Sequence, residues 1–234
     1  MNLQPILKYI ISSLFLLFVS VIYAQEQHTK MDSIAYKQAY GLRIGVDISR
    51  PIIQSLQKQD LGLEITADYR VADSWYIAGE VGYESEPGSE DYMQFYTKGS
   101  YAKLGFNYNA YENWQGMSNE VYFGLRYGFS SFTQELTDFT ILDPDHYFGD
   151  YTADATKTYE GLTAHWIGLH FGLKVEIVSH VYLTAGIQFK KIISEQKPQG
   201  FANLYVPGFQ KVLLNNAGVG FNYTISYLIP FIKK

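Results

Sequence analysis

Four residues of this 234-residue chain have the types and spacing to do chemistry together: Glu80, Lys103, Arg126 and His170. Counting along the alternating stretches described below puts them at similar depth on four successive strands. A carboxylate, two cations and an imidazole at one level could pass a proton or an ion. The plainer reading is an ion cluster that fills an interior. Ser131 and His165 stand near the tops of two neighbouring strands, on one face. As nucleophile and base they could serve a lipid-modifying enzyme, but no third residue completes a triad, and both also read as ordinary rim residues. A third group, DPDHYFGDYTAD (143–154), offers Asp143, Asp145, His146, Asp150 and Asp154, oxygen-rich enough for calcium. Its spacing matches no calcium-loop pattern, and acidic loop tips are common. Asp143, Asp145 and Asp150 are the metal candidates. No phosphate loop, paired zinc motif or nucleophile elbow occurs, and Gly218-Val219-Gly220 is a bare GxG inside a strand.

The elements that carry these residues are strands. In AGVGFNYTISYLIPF (217–231) every odd position is apolar or aromatic and the residues between are small or polar until Leu228. That period of two marks a strand with one greasy face. Its length exceeds the roughly 9 to 11 residues a tilted strand needs to cross a bilayer. The same alternation recurs over 40–49, 61–70, 75–84, 102–109, 120–132, 163–177 and 181–192, giving eight strands. Upstream of the fourth, Lys98 and Tyr101 break the parity, which predicts a bulge near Gly99. An acidic loop around Glu86, Glu90 and Asp91 precedes it. The connections 71–74, 110–118 and 178–180 are short, whereas 133–160 and 194–214 read as long loops. An even strand number puts both termini on one side, and this asymmetry is that of periplasmic turns and outer loops.

Alternation alone fits both a membrane barrel and a soluble lipocalin-like carrier. An eight-stranded barrel has just enough room inside for side chains, so its inner face must mix bulky with small residues. Here the glycines lie on the polar face: Gly41, Gly45, Gly82, Gly105, Gly124, Gly128, Gly168, Gly172, Gly186, Gly218 and Gly220. The polar face is therefore predicted to be the concave one, and the apolar face to meet lipid. Trp75, Tyr69, Tyr108 and Tyr227 would form one aromatic girdle, and Tyr83, Tyr127 and Phe129 the other. Arg43, Arg70, Lys103, Arg126, Lys174 and Lys190 would then face Asp47, Glu64, Asp68, Glu80, Glu84 and Glu176 inside. Charges withdrawn from water need partners, so a salt-bridged, filled lumen is predicted rather than an open pore.

Composition agrees. Aromatic residues make up 17% of the chain, too many for disorder, and a net charge of -5 gives no footprint for nucleic acid. With no cysteine there is no disulfide, cysteine nucleophile or acylated N-terminal cysteine. Residues 1–24 read as a signal peptide: Lys8, then an apolar core from Ile10 to Tyr23, then Ala24. No apolar run of about 18 residues follows, so helical membrane spans are excluded. Residues 25–39 read as a flexible periplasmic lead-in and 40–234 as the barrel.

Five stretches carry a resemblance: YGLRIGVDISRPI (40–52), TKGSYAKLGFNYNAYENW (97–114), GLTAHWIGLHFGLKVE (161–176), NLYVPGF (203–209) and GVGFNYTISYLIPF (218–231). The chain resembles a family of small exported Bacteroidota proteins, domain of unknown function 6048, taken to be outer-membrane barrels. That resemblance implies the fold and the address but no activity and no site residues. NLYVPGF suggests a structured lid or contact surface, or a segment packed over the barrel mouth.

The expectation is an all-β protein, an eight-stranded antiparallel up-and-down transmembrane β-barrel of the cell outer membrane. It would be porin-like in family but filled, non-enzymatic and without cofactor. Its role would be structural or surface-interacting through outer loops 133–160 and 194–214, toward a partner the sequence does not specify. Its other partners would be outer-membrane lipid and, during insertion, the barrel assembly machinery, with no nucleic acid. Barrels often stop on an aromatic residue that this machinery recognises; here Ile232, Lys233 and Lys234 follow Phe231, leaving Tyr227, Ile229 and Phe231 for that contact.

Overall fold

The computed structural model describes residues 39–51, 62–90, 93–112, 118–141, 151–198 and 202–233. Eight long strands hydrogen-bond antiparallel into a closed barrel: β1 (Ala39–Asp47), β2 (Leu63–Arg70), β3 (Trp75–Glu90), β4 (Met93–Asn109), β5 (Glu120–Ile141), β6 (Tyr151–Val178), β7 (Val181–Glu195) and β10 (Ala217–Lys233). Each pairs with its sequence neighbour, and β10 returns to β1 through nine paired residues from Ala39↔Lys233 to Asp47↔Thr224. Closure leaves no unpaired edge around the ring, which a membrane-spanning sheet requires. Between β7 and β10 lie two short strands, β8 (Tyr205–Val206) and β9 (Gln210–Lys211), paired with each other. No helix among the described residues is long and apolar enough to cross a membrane, a statement silent about strands.

The inward face follows the glycine pattern. Along one line around the wall, Ala78, Gly105, Arg126, Gly168, Lys190 and Gly218 are successive cross-strand partners. Large alternates with small, as a lumen just wide enough for side chains demands. The glycines receive aromatic rings: a Cβ at Gly82 would meet Tyr101, one at Gly172 would meet Tyr122, and one at Gly128 would collide with the Trp166 indole. Trp166 is fully buried. Gly128→Ala is therefore expected to cost about 1–3 kcal/mol by overpacking, measured as a lower unfolding temperature of the folded barrel in detergent.

The outward face is a continuous apolar belt. Leu104, Leu173 and Phe221 are 65%, 55% and 57% exposed, in a chain whose inward Arg43 is 4% exposed. A soluble protein does not present such a surface. At the turn end, Trp75 lies against Tyr108, ring centroids 5.1 Å apart, with Tyr69 and Tyr227 also outward.

The structure corrects three loop readings. The stretch 133–160 is mostly strand: β5 and β6 run on as a hairpin to Ile141↔Tyr151, with register shifts at Phe132/Gln134 and Leu136/Asp138. The acidic loop at Glu86 and Glu90 is strand too, β3 and β4 pairing out to Glu90↔Met93. In these stretches the outward positions, such as Gln94, Lys98 and Glu135, are polar, so no outward hydrophobic period remains while the backbone ladder continues. In 194–214, β7 extends to Glu195 and β8 and β9 form a hairpin. The predicted bulge near Gly99 is absent. Gly99 pairs in register with Glu84 and Phe132, and the shift lies at Gln94/Phe95. Tyr101 only seemed out of phase, because it is a large residue on the inner face. The proposed signal peptide, nearly all of the lead-in and Asp143, Asp145 and Asp150 lie outside the described residues.

Candidate functional site

The lumen holds three tiers of charge. Nearest the turns, Arg43 donates to Asp68 at 2.7 Å and to Glu120, while Lys174 reaches Asp68 at 2.6 Å and Glu120 at 3.7 Å. The Arg43 guanidinium lies between the rings of Tyr76 and Tyr182, 4.8 and 5.0 Å from their centroids, so its faces meet aromatic rings while its Nε and one terminal nitrogen meet carboxylates. At mid-depth, Lys103 bridges Glu64 at 2.7 Å and Glu80 at 2.8 Å, and Arg126 reaches the other oxygen of Glu80 at 3.1 Å. Tyr101 donates its hydroxyl to Glu64 at 2.7 Å. Near the mouth, Glu84 pairs with Arg50 at 3.2 Å and accepts hydrogen bonds from the Tyr205 hydroxyl at 2.9 Å and the Gly208 N–H at 3.0 Å.

The two deeper tiers arise because consecutive strands place opposite charges on inward positions of adjacent rungs. The four residues Glu80, Lys103, Arg126 and His170 come together: Glu80 contacts both cations, and His170 Nδ1 lies 3.9 Å from its Oε1. Arg126 also donates to Asn107 at 2.8 Å and to the Phe106 carbonyl at 2.9 Å. Below Glu80 a polar cavity of about 40 Å³ is lined by Asp68, Arg126, Lys174, Asn222 and Ser226 among others, room for roughly two or three waters. The ion-paired arrangement supports filling more directly than conduction.

The mouth is closed by the segment around Tyr205. Val206 and Phe209 are fully buried beside Tyr101, Phe132, Leu162, Trp166 and Ile192. Phe209 meets Trp166 edge-on at 5.9 Å. NLYVPGF thus packs into the barrel end. Asn203 ties its start to Glu195 and to the Gln196 carbonyl, both at 2.8 Å. Burial, then the Glu84 carboxylate, pushes the Tyr205 phenol well above its ordinary pKa, so it remains a donor. Beneath the plug, Lys190 has no carboxylate partner among the described residues. It donates to the Gly208 carbonyl at 3.4 Å and lies 5.5 Å from the Phe209 ring.

A match to the family model for the domain of unknown function DUF6048 spans residues 6–234. The chain belongs to the DUF6048 family. No curated protein matches it. Among solved structures, Ail, the attachment invasion locus protein of Yersinia pestis, is 9% identical, with 82% of this chain and 98% of that one aligned, TM-score 0.40. Neisserial surface protein A is 11% identical over 81% and 96%, TM-score 0.40. A major outer membrane protein of Thermus thermophilus is 14% identical over 82% and 100%, TM-score 0.42. They lend this DUF6048 chain neither a role nor a ligand.

Ser131 and His165 share the outward face but do not pair. Ser131 lies opposite Thr163, and His165 opposite Phe129. His165 Nδ1 is engaged by the Tyr127 hydroxyl at 2.7 Å, and its ring lies 4.9 Å from that of Phe129. Two members of the ion tiers were missing from the sequence-level set. Glu120 shares the parity of Tyr122 and Arg126, a signal that identifies it as inward. Arg50 follows the end of β1 and gives no periodic signal.

Proposed function

We propose that this protein is a non-enzymatic outer-membrane barrel of a Gram-negative envelope, in Bacteroidota on its family resemblance. It would act as a structural or surface-contacting element. The observation that carries this reading is the projection of one wall beyond a filled barrel. The last rung of β7 on β6 is Ala164↔Glu195, yet β6 continues back to Tyr151, paired with β5. That stretch is roughly 40 Å of strand at about 3.3 Å per residue. It lies opposite the termini, hence outward if the short turns are periplasmic. A filled lumen leaves this projection and the plug as the parts that meet other molecules. The outward Tyr227, Ile229 and Phe231 of β10 suit recognition by the assembly machinery.

The test is gel migration of protein from washed outer membranes, with and without boiling, for the wild type and a variant with 142–150 replaced by a Gly-Ser linker. Both are expected to show a compact unboiled band that slows on heating, with only the variant losing surface contacts. A soluble wild type without a heat shift would overturn the reading.

A further inference from the structure

On the outer wall of β2 to β5 the apolar belt is indented by a groove of about 460 Å³. Its floor is made by the small outward residues Ala67, Gly79 and Ala102, and Leu104, Tyr127 and Phe129 line it on the β5 side. Ala67 pairs with Gly79, and Leu104 with Gly79 and Tyr127, so the depression runs across adjacent strands. Small residues here do nothing for the lumen, which they do not face. They remove bulk from a surface that otherwise carries large side chains.

Directly above the groove the surface turns polar. Ser100 faces Ser131 and Lys98 faces Thr133 across β4 and β5. Lys98 stands ten residues up β4 from the girdle residue Tyr108. At about 3.3 Å per residue and roughly 40° of tilt, that is about 25 Å, the height of the apolar belt. An exposed lysine thus sits at headgroup height, over two serines. Among the described residues it has no carboxylate partner, and Glu135, one rung higher, makes no ion pair with it. A second apolar groove, of about 490 Å³ around Phe123, Phe171 and Phe221, lies toward the turn side and has no charge in its lining.

We propose that the β2–β5 groove binds one acyl chain of lipid A, a phosphorylated and multiply acylated glucosamine lipid of the outer leaflet, with a phosphate on Lys98. The inference rests on the outer-membrane orientation proposed above. Lipid A fits because it brings an anion at the height of Lys98 and hydrogen-bonding hydroxyacyl and amide groups just below it, where Ser100 and Ser131 lie. A phosphodiester phospholipid supplies the anion but lacks such groups at the depth of the serines.

Native mass spectrometry of the folded barrel, released from detergent with lipid A or phosphatidylethanolamine at equal concentration, tests this. The wild type is expected to retain one lipid A. Gly79→Leu fills the groove without backbone conflict, since a Cβ there meets nothing nearer than 3.7 Å; it is expected to weaken retention at least tenfold. Lys98→Ala is expected to weaken it about fivefold, the worth of one cation near an anionic surface. A heat-modifiable barrel whose lipid A retention ignores Gly79→Leu overturns the groove. Equal retention of phosphatidylethanolamine with the same sensitivity overturns the choice of lipid. A wild type with no heat-modifiable band overturns the outer-membrane reading and this inference with it.

Discussion

Glu80→Ala is expected to destabilise the barrel by about 3–5 kcal/mol, the cost of removing one partner from a buried ion pair. Lys103 would keep Glu64 at 2.7 Å. Arg126 would lose the one carboxylate it contacts among the described residues and keep neutral acceptors, Asn107 and the carbonyls of Phe106 and Leu125. The damage is therefore an uncompensated guanidinium, not a lost contact. It follows that Glu80→Ala combined with Arg126→Met should recover most of the loss, because removing both charges together removes the desolvation penalty as well. The measurement is the temperature at which the compact band converts to the slow one. A shift on the order of 10 °C is expected for the single variant, and a much smaller one for the double. If Glu80→Ala shifts by under about 2 °C, the mid-depth tier does not hold the barrel together, and the relay reading of Glu80, Lys103, Arg126 and His170 gains ground.

The sequence made the membrane-embedded part of this architecture legible and hid much of the rest, for one physical reason. Between the girdles the solvent is lipid on one side and a crowded lumen on the other. There each strand must alternate, and Leu42, Ile44 and Val46 against Arg43 and Gly45 show it plainly. Beyond the girdles the outer face meets polar surroundings too, so the outward apolar residues that mark the period give out. The Gln134–Tyr159 and Glu135–Thr158 pairs obey the same backbone ladder with no hydrophobic signal to betray it. The glycines were informative because lumen size is a packing constraint, which put Gly128 on the inner face where the structure sets it beside Trp166. The plug was harder. Val206 and Phe209 look like any apolar loop residues until the barrel closes around them. Glu84 could be assigned to the inner face by parity, but its partners Arg50 and Tyr205 lie far away in sequence and in irregular segments.

Glu84 is the residue whose removal should separate the plug from the barrel. Its carboxylate is 2% exposed and holds three groups: the Arg50 guanidinium, the Tyr205 hydroxyl and the Gly208 N–H. In Glu84→Ala these donors stay buried without that acceptor, at a cost of about 3 kcal/mol or more. The penalty falls on the docked state of the plug, because undocking lets all three reach water. Opening should therefore become about 100-fold more frequent. Chymotrypsin reads this at Tyr205 and Phe209, which are shielded while docked, and cleavage in native conditions follows the open population when closing is fast. The expected result is rapid cutting of unboiled Glu84→Ala beside a resistant wild type, both still heat-modifiable. Equal resistance would mean that burial of Val206 and Phe209 holds the plug by itself. Release should still not make a channel, because Glu64, Lys103, Glu80 and Arg126 remain locked beneath it. Conductance in planar bilayers is thus expected to match the wild type. If conductance rises in Glu84→Ala alone, the mouth is the closure that matters, and the charge tiers below line a channel instead of filling it.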